Sequence, residues 1–174
     1  LNFVANFGAD STRPGSGTVN YLGSYRFEIK YSEPAGVKVG ANQPSALMAM
    51  NRAIEMISNL KTPYDLDKKA ERTTYTVGVG SCTPAPEGER SKECTLLVDM
   101  RSPTPGPLKD IRSKIEPAFA KALQQENAKY GLKNGDAKAV TMELVWFGDR
   151  PAHKRKNYDD PAMQAFWQSA RTAG

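Results

Sequence analysis

The stretch GSYRFEIKYSEPAGVKVGANQPSALMAMNRAIEMI, residues 23–57, contains two hydrophobic periods separated by a loop. In its first part Tyr25, Phe27 and Ile29 alternate with Arg26, Glu28 and Lys30, the period of two that a half-buried strand requires. The pattern predicts a strand from Val19 to Ser32. In its second part Leu47, Met50, Ile54 and Ile57 recur at spacings of three and four, which predicts a helix over 44–60. Pro44 suits a first helical position because its missing N–H would have no partner there, with Asn42 or Gln43 before it as cap. Met48, Ala49, Ala53 and Met56 make the rest of this helix apolar as well, so it is expected to meet a second partner. The intervening loop carries Val37-Lys38-Val39, where turn chemistry would accept almost any polar residue.

Outward from this unit, residues 9–18 form a Gly/Pro/Ser connector after a short apolar opening. Downstream, TTYTVGVGS (73–81) and CTLLVDMR (94–101) are β-rich runs flanking a Pro/Gly/Glu segment, which predicts an antiparallel pair with a long loop. A second helix begins near Pro107, with Leu108, Ile111, Ile115 and Phe119 on one face and Gly131 as its stop. Pro117 is expected to kink it or to interrupt a bond. Val140, Met142, Leu144 and Trp146 alternate in a last strand ending at FGDRPA. The order β-α-β-β-α-β is the ferredoxin-like pattern, an α+β fold with a four-stranded antiparallel sheet and two helices on one face. Terminal connecting segments flank it, and Asp160-Pro161 opens a further amphipathic helix with Met163, Phe166, Trp167 and Ala170 on its apolar side.

Composition narrows the function. The 174 residues carry a formal net charge of +5, with a local basic run at His153–Lys156, read as a solvated connector and not as a nucleic-acid contact. No run approaches the roughly 20 apolar residues that span a bilayer, so no membrane partner is expected. Cys82 and Cys94 flank a turn-rich segment and can face each other across a hairpin, but two cysteines in a chain of this size form no disulfide framework, and reduced thiols are expected. With one histidine and two separated cysteines, no zinc site can be written. His153 has no nucleophile motif to serve, GVGSC lacks the remaining glycines of a phosphate loop, and Tyr75 is a lone aromatic on what would be an RNA-binding sheet. Arg101 ends an apolar strand with Asp99 on the same face. Spacing alone does not separate a structural Asp99–Arg101 pair from a carboxylate-binding site.

Taken in order, GSYRFEIKYSEPAG, QPSALMAMNRAIEMI, RTTYTVGVGS, CTLLVDMRSP and FGDRPA resemble the dimerisation (lid) domain of the co-catalytic zinc aminopeptidase/aminoacylase family. That family includes tripeptide aminopeptidases, acetylornithine and succinyl-diaminopimelate deacylases and glutamate-releasing carboxypeptidases. The resemblance runs from about Val19 to Arg150. It implies a lid domain over 19–150, inserted in a larger catalytic domain that holds two zinc ions, with 1–18 and 151–174 as the connectors to that domain. It implies no cofactor in this chain itself, and a homodimer formed by helix 44–60, through Leu47, Met48, Met50, Asn51 and Ile54, and by an edge strand. Val37 falls at the position of the family's partner-reaching histidine, and the segment 82–93 lacks the family's asparagine, so no catalytic residue is expected here. Arg101 falls on the arginine associated with the substrate's carboxylate.

The expected function is therefore a non-hydrolytic dimerisation and lid module of a zinc peptidase/amidohydrolase homologue, in the cytoplasm. Two alternatives stand beside it. One is part of an active exopeptidase or N-acyl-amino-acid deacylase that holds a peptide or acyl-amino-acid substrate through Arg101. The other is a free-standing ferredoxin-like domain that binds a small molecule.

Overall fold

Alternation along residues 23–32 places Phe27, Ile29 and Tyr31 on a dry face, and the computed structural model, which describes residues 21–152, 159 and 161–173, forms strand β1 over Gly23–Ser32. Helix α1 (Ala46–Ser58) follows, then a one-turn helix α2 (Pro63–Leu66). Strands β2 (Thr74–Cys82) and β3 (Glu93–Ser102) form the hairpin, helix α3 spans Pro105–Ala128, β4 spans Thr141–Arg150, and α4 spans Pro161–Ala173. All pairings are antiparallel and the order is β2-β3-β1-β4, the expected ferredoxin-like sheet. The connector 1–18 and the basic run at 153–156 lie outside the described residues. Among the described residues no helix is long and apolar enough to cross a membrane.

The core lies between one sheet face and the two long helices. Phe27, Ile29, Leu96, Val98 and Met100 meet Ile57 from α1 and Ile111, Ile115 and Phe119 from α3. Phe27 stands edge-on to Phe119 and tilted against Trp146, the offset arrangements that ring quadrupoles favour. The expected second partner of α1 turns out to be α3, against which it packs, with Ala46, Ala49 and Ala53 fully buried. Small side chains there let two backbones approach closely. Leu47 and Met48 remain 43% and 42% exposed.

One local expectation is corrected, and two further details emerge. Helix α1 starts two residues later than Pro44, with Ser45 as N-cap but no side-chain cap bond. The Ser45 N–H is met instead by a distant carboxylate, described below. The TPYD segment forms α2, whose Thr62 and Asp65 cap each other reciprocally. Helix α3 runs through Pro117 without ending, losing the one hydrogen bond that a proline cannot donate.

Cys82 and Cys94 are disulfide-bonded, against the expectation of free thiols. They are register partners across β2 and β3. The neighbouring Thr83 N–H donates to Glu93 O, which makes 82/94 a non-hydrogen-bonded pair, the closer of the two antiparallel positions. Their Cα atoms lie 4.0 Å apart. Composition argued for thiols, but register decides whether two cysteines can bond.

Candidate functional site

Three features carry chemistry or contact surface. The first is on the sheet face away from the helices. Arg101 and Asp99 are two residues apart on β3 and so share that face, where Arg101 grips Asp99 side-on, Nε donating to Oδ1 at 2.5 Å and Nη2 to Oδ2 at 2.7 Å. Arg26, opposite Asp99 on β1, donates from Nε to the same Oδ2 at 2.8 Å. Its stem lies across Gly148, where an added Cβ would come within 3.0 Å of the Arg26 Cβ, so the glycine leaves room for this reach.

Two guanidinium groups on one carboxylate leave a surplus positive charge at the sheet face. Partial burial pushes the Asp99 carboxyl up, but hydrogen bonds from Arg101 and Arg26 outweigh it and hold the group below its ordinary value of 3.8. The same bond holds Arg101 above its ordinary value. Ionised Asp99 therefore adds stability above its unfolded-state value and loses it as pH falls through the lower folded-state one. Asp99→Asn should flatten the fall of melting temperature on acidification from about pH 5 to about pH 2. Thermal melts of both proteins across that range check it, and an unchanged slope would contradict the assignment.

The second feature answers the apolar loop. Gly36 (φ +75°) and Gly40 (φ +82°) bracket Val37–Val39 and turn the chain at both ends, a conformation that favours glycine. Between them the chain bonds to the loop joining β2 and β3. Val39 N–H donates to Gly88 O at 2.9 Å, Arg90 N–H to Val37 O at 2.8 Å, and Lys38 Nζ to Glu89 at 2.8 Å. Val37 is 8% exposed, which explains an apolar residue here, whereas Val39 is 69% exposed. A side chain at 37 points into the protein, so the tip that reaches outward is Lys38-Val39.

Arg90 then clamps the far side of this loop. Its guanidinium donates to Glu33 just after β1, to Gln43 O at 3.2 Å and to Pro44 O at 2.8 Å. Glu33 is 4% exposed, and burial raises its carboxyl above the ordinary range despite the Arg90 charge. Glu126 on α3, fully buried, accepts from Ser45 N–H at 3.1 Å and from Arg52 Nε at 2.9 Å. Two carboxylates thus sit at the positive end of α1, where the helix dipole favours them. None of these partners was legible beforehand, since Glu33, Arg90 and Glu126 look like solvated surface charges in the sequence.

The third feature is an edge. Both edge strands carry a register shift, β2 at Val77/Val79 and β4 opposite Arg26/Phe27, but β2 has no charged residue and no proline, whereas β4 also carries Glu143, Asp149 and Arg150. Val79 on β2 is 49% exposed. Helix α1 lies on this side of the domain, Tyr75 of β2 donating its hydroxyl to Ile57 O and Leu60 O at the helix end. Of the interface residues expected from the resemblance, Leu47, Met48 and Asn51 are exposed, Ile54 is half-buried, and Met50 is a core residue at 5% exposure. Helical spacing alone could not divide the α1 stripe between core and surface.

Among the described residues no group of three or more His, Cys, Asp or Glu side chains could hold a metal. Cys82 and Cys94 are committed to each other and are therefore not available as thiolate ligands.

A ferredoxin-like α+β domain with a salt-bridged open face and an uncharged edge is the class that fold and site define. No family model matches the chain, and no curated protein matches it by sequence. Solved structures do match in fold. A tripeptidase from Staphylococcus aureus superposes over 99% of this chain and 42% of its own, with a TM-score of 0.60 and 19% identity. An aminobenzoyl-glutamate utilization protein from Klebsiella pneumoniae matches over 83% of this chain and 32% of its own (TM-score 0.57, 17% identity). A hydantoinase/carbamoylase family amidase from Burkholderia ambifaria does so over 90% and 34% (TM-score 0.57, 12% identity). At these identities the likeness is one of fold. The chain spans 32% to 42% of the length of these three proteins.

Proposed function

We propose that this chain is the dimerisation and lid domain of a zinc-dependent peptidase or amidohydrolase homologue, and that it assembles as a homodimer and is not hydrolytic by itself. The observation that carries this reading is coverage. Nearly the whole chain superposes on one part of a tripeptidase, of an amidase and of an aminobenzoyl-glutamate utilization protein, each about two to three times as long. The neutral β2 edge beside exposed Leu47 and Met48 supports a two-fold contact in which β2 pairs with its own copy and extends the sheet. A catalytic domain holding the two zinc ions would be the remaining partner.

Light scattering coupled to size exclusion tests the assembly. The expected result is a dimer mass at tens of micromolar protein, dissociating on dilution. A strict monomer throughout the micromolar range would overturn the proposal.

The alternative, an active enzyme's lid holding substrate through Arg101, draws support from the surplus charge of the Arg26–Asp99–Arg101 trio. Against it, the substrate carboxylate would have to share or displace Asp99. As for residence, the expected cytoplasmic address sits poorly with the Cys82–Cys94 bond, because cytosolic thiols are kept reduced. The oxidised form belongs to an oxidising compartment.

A further inference from the structure

The Cys82–Cys94 bond closes a ring over the segment 83–93, and that ring supplies most of what holds the loop 33–43. Glu33 N–H donates to Lys92 O, Val39 N–H to Gly88 O, and Val37 O accepts from Arg90 N–H. The Arg90 guanidinium adds Glu33, Gln43 O and Pro44 O, and Glu89 adds Lys38. Each bond is anchored on the ring side by a residue between the two cysteines. The ring residues are mostly exposed or half-buried and contribute no side chain to the hydrophobic core. What orders them is therefore the strand ends, the cross-link, and the bonds to loop 33–43 themselves.

We infer that the Cys82–Cys94 disulfide is a redox-sensitive latch on the two-loop platform: oxidised, it holds segment 83–93 in the shape that grips loop 33–43, and reduced, it releases both loops while the sheet and helices stay folded. Cys94 is fully buried and Cys82 half-buried, so reduction starts at the Cys82 side. A thiolate of a dithiol reductant attacks the Cys82 sulfur and the Cys94 thiolate leaves. The second thiolate of the reductant then attacks its own sulfur in the mixed disulfide and expels the Cys82 thiolate. Two protons restore the two thiols and the reductant departs as its cyclic disulfide, so two electrons pass to the protein.

Unfolded-state restriction and loop ordering make separate contributions. Closing a ring of about a dozen residues implies a melting temperature roughly 10 °C lower after reduction. That shift alone would mark a structural staple; local release is the part specific to the latch. Hydrogen exchange read by mass spectrometry on the folded full chain, with and without dithiothreitol, separates them. In the oxidised protein the Glu33, Val39 and Arg90 amides are bonded and exchange slowly. After reduction, peptides covering 33–43 and 83–93 are expected to exchange at least about tenfold faster, while peptides within 25–31 and 95–100 keep their rates. Arg90→Met should speed the 33–43 peptide with the disulfide intact, because it removes the clamp and leaves the ring. Intact mass without reductant should show the deficit of two hydrogens. Two titratable thiols in the air-oxidised folded protein would overturn the inference, and so would unchanged loop exchange after full reduction or a uniform rise across core and loop peptides. Reduction of the wild-type protein keeps the test decisive if Cys82→Ser/Cys94→Ser fails to fold.

Discussion

Glu126→Ala is expected to destabilise the domain by about 2–3 kcal/mol, a large fraction of a domain's stability, because it removes a fully buried acceptor from a backbone N–H and from a half-buried arginine. Glu126 is 0% exposed and answers two donors, the Ser45 N–H at the start of α1 and Arg52 Nε about two turns later. Its loss leaves both donors unpaired at the junction between α1 and α3. Glu126→Gln retains an acceptor and the side-chain volume, and its cost should fall to about 1–2 kcal/mol. Joint replacement by Arg52→Met and Glu126→Leu should recover part of the loss, since no charge is then stranded, while Ser45 N–H still lacks its acceptor. Urea unfolding of the four proteins measures the series. An alanine cost below about 1 kcal/mol would mean that water takes over the role of the carboxylate.

Leu47→Glu combined with Val79→Lys should weaken self-association by at least about 100-fold, from dimer to monomer at tens of micromolar protein. The first replaces an exposed leucine on α1, the second an exposed valine on the uncharged edge β2. In an isologous contact each change occurs twice, so its penalty is doubled. A lysine on the edge also acts as natural sheet edges do, by making continuation of the ladder unfavourable. Both positions lie outside the core, so the melting temperature extrapolated to the monomer should stay within a few degrees of wild type. Sedimentation equilibrium of variant and wild type gives the association constants. A wild-type dimer that the double variant leaves intact would place the interface elsewhere, with the β4 edge next to be tried.

Much of this fold is legible in the chain. The alternation at Tyr25, Phe27 and Ile29 and the three–four spacing at Leu47, Met50, Ile54 and Ile57 each record which side of an element is dry, and that record is local. The order of six such elements then restricts the topology to a familiar arrangement. The limits of that record are visible at Met50 and Leu47, both on the apolar stripe of α1, of which only Met50 enters the core. Val37, odd in sequence as a loop residue, proves to be a buried one whose carbonyl is tied to Arg90.

The trio on the sheet face was half visible. Asp99 and Arg101 stand two apart on one strand, so their pairing follows from the pleat, whereas Arg26 joins them through the register of β1 on β3. The chain by itself thus determined the six long elements of the sheet and its two covering helices, their order and the face each strand turns inward, because periodicity is written into every window of a dozen residues. Tertiary structure alone decided the disulfide, the Arg90 clamp and the Glu126 anchor of α1. The partners of the last two lie 57 and 81 residues apart in sequence. Whether a charge is solvated or buried, and whether two thiols meet, depends on which distant segment folds over it, and no local pattern carries that information.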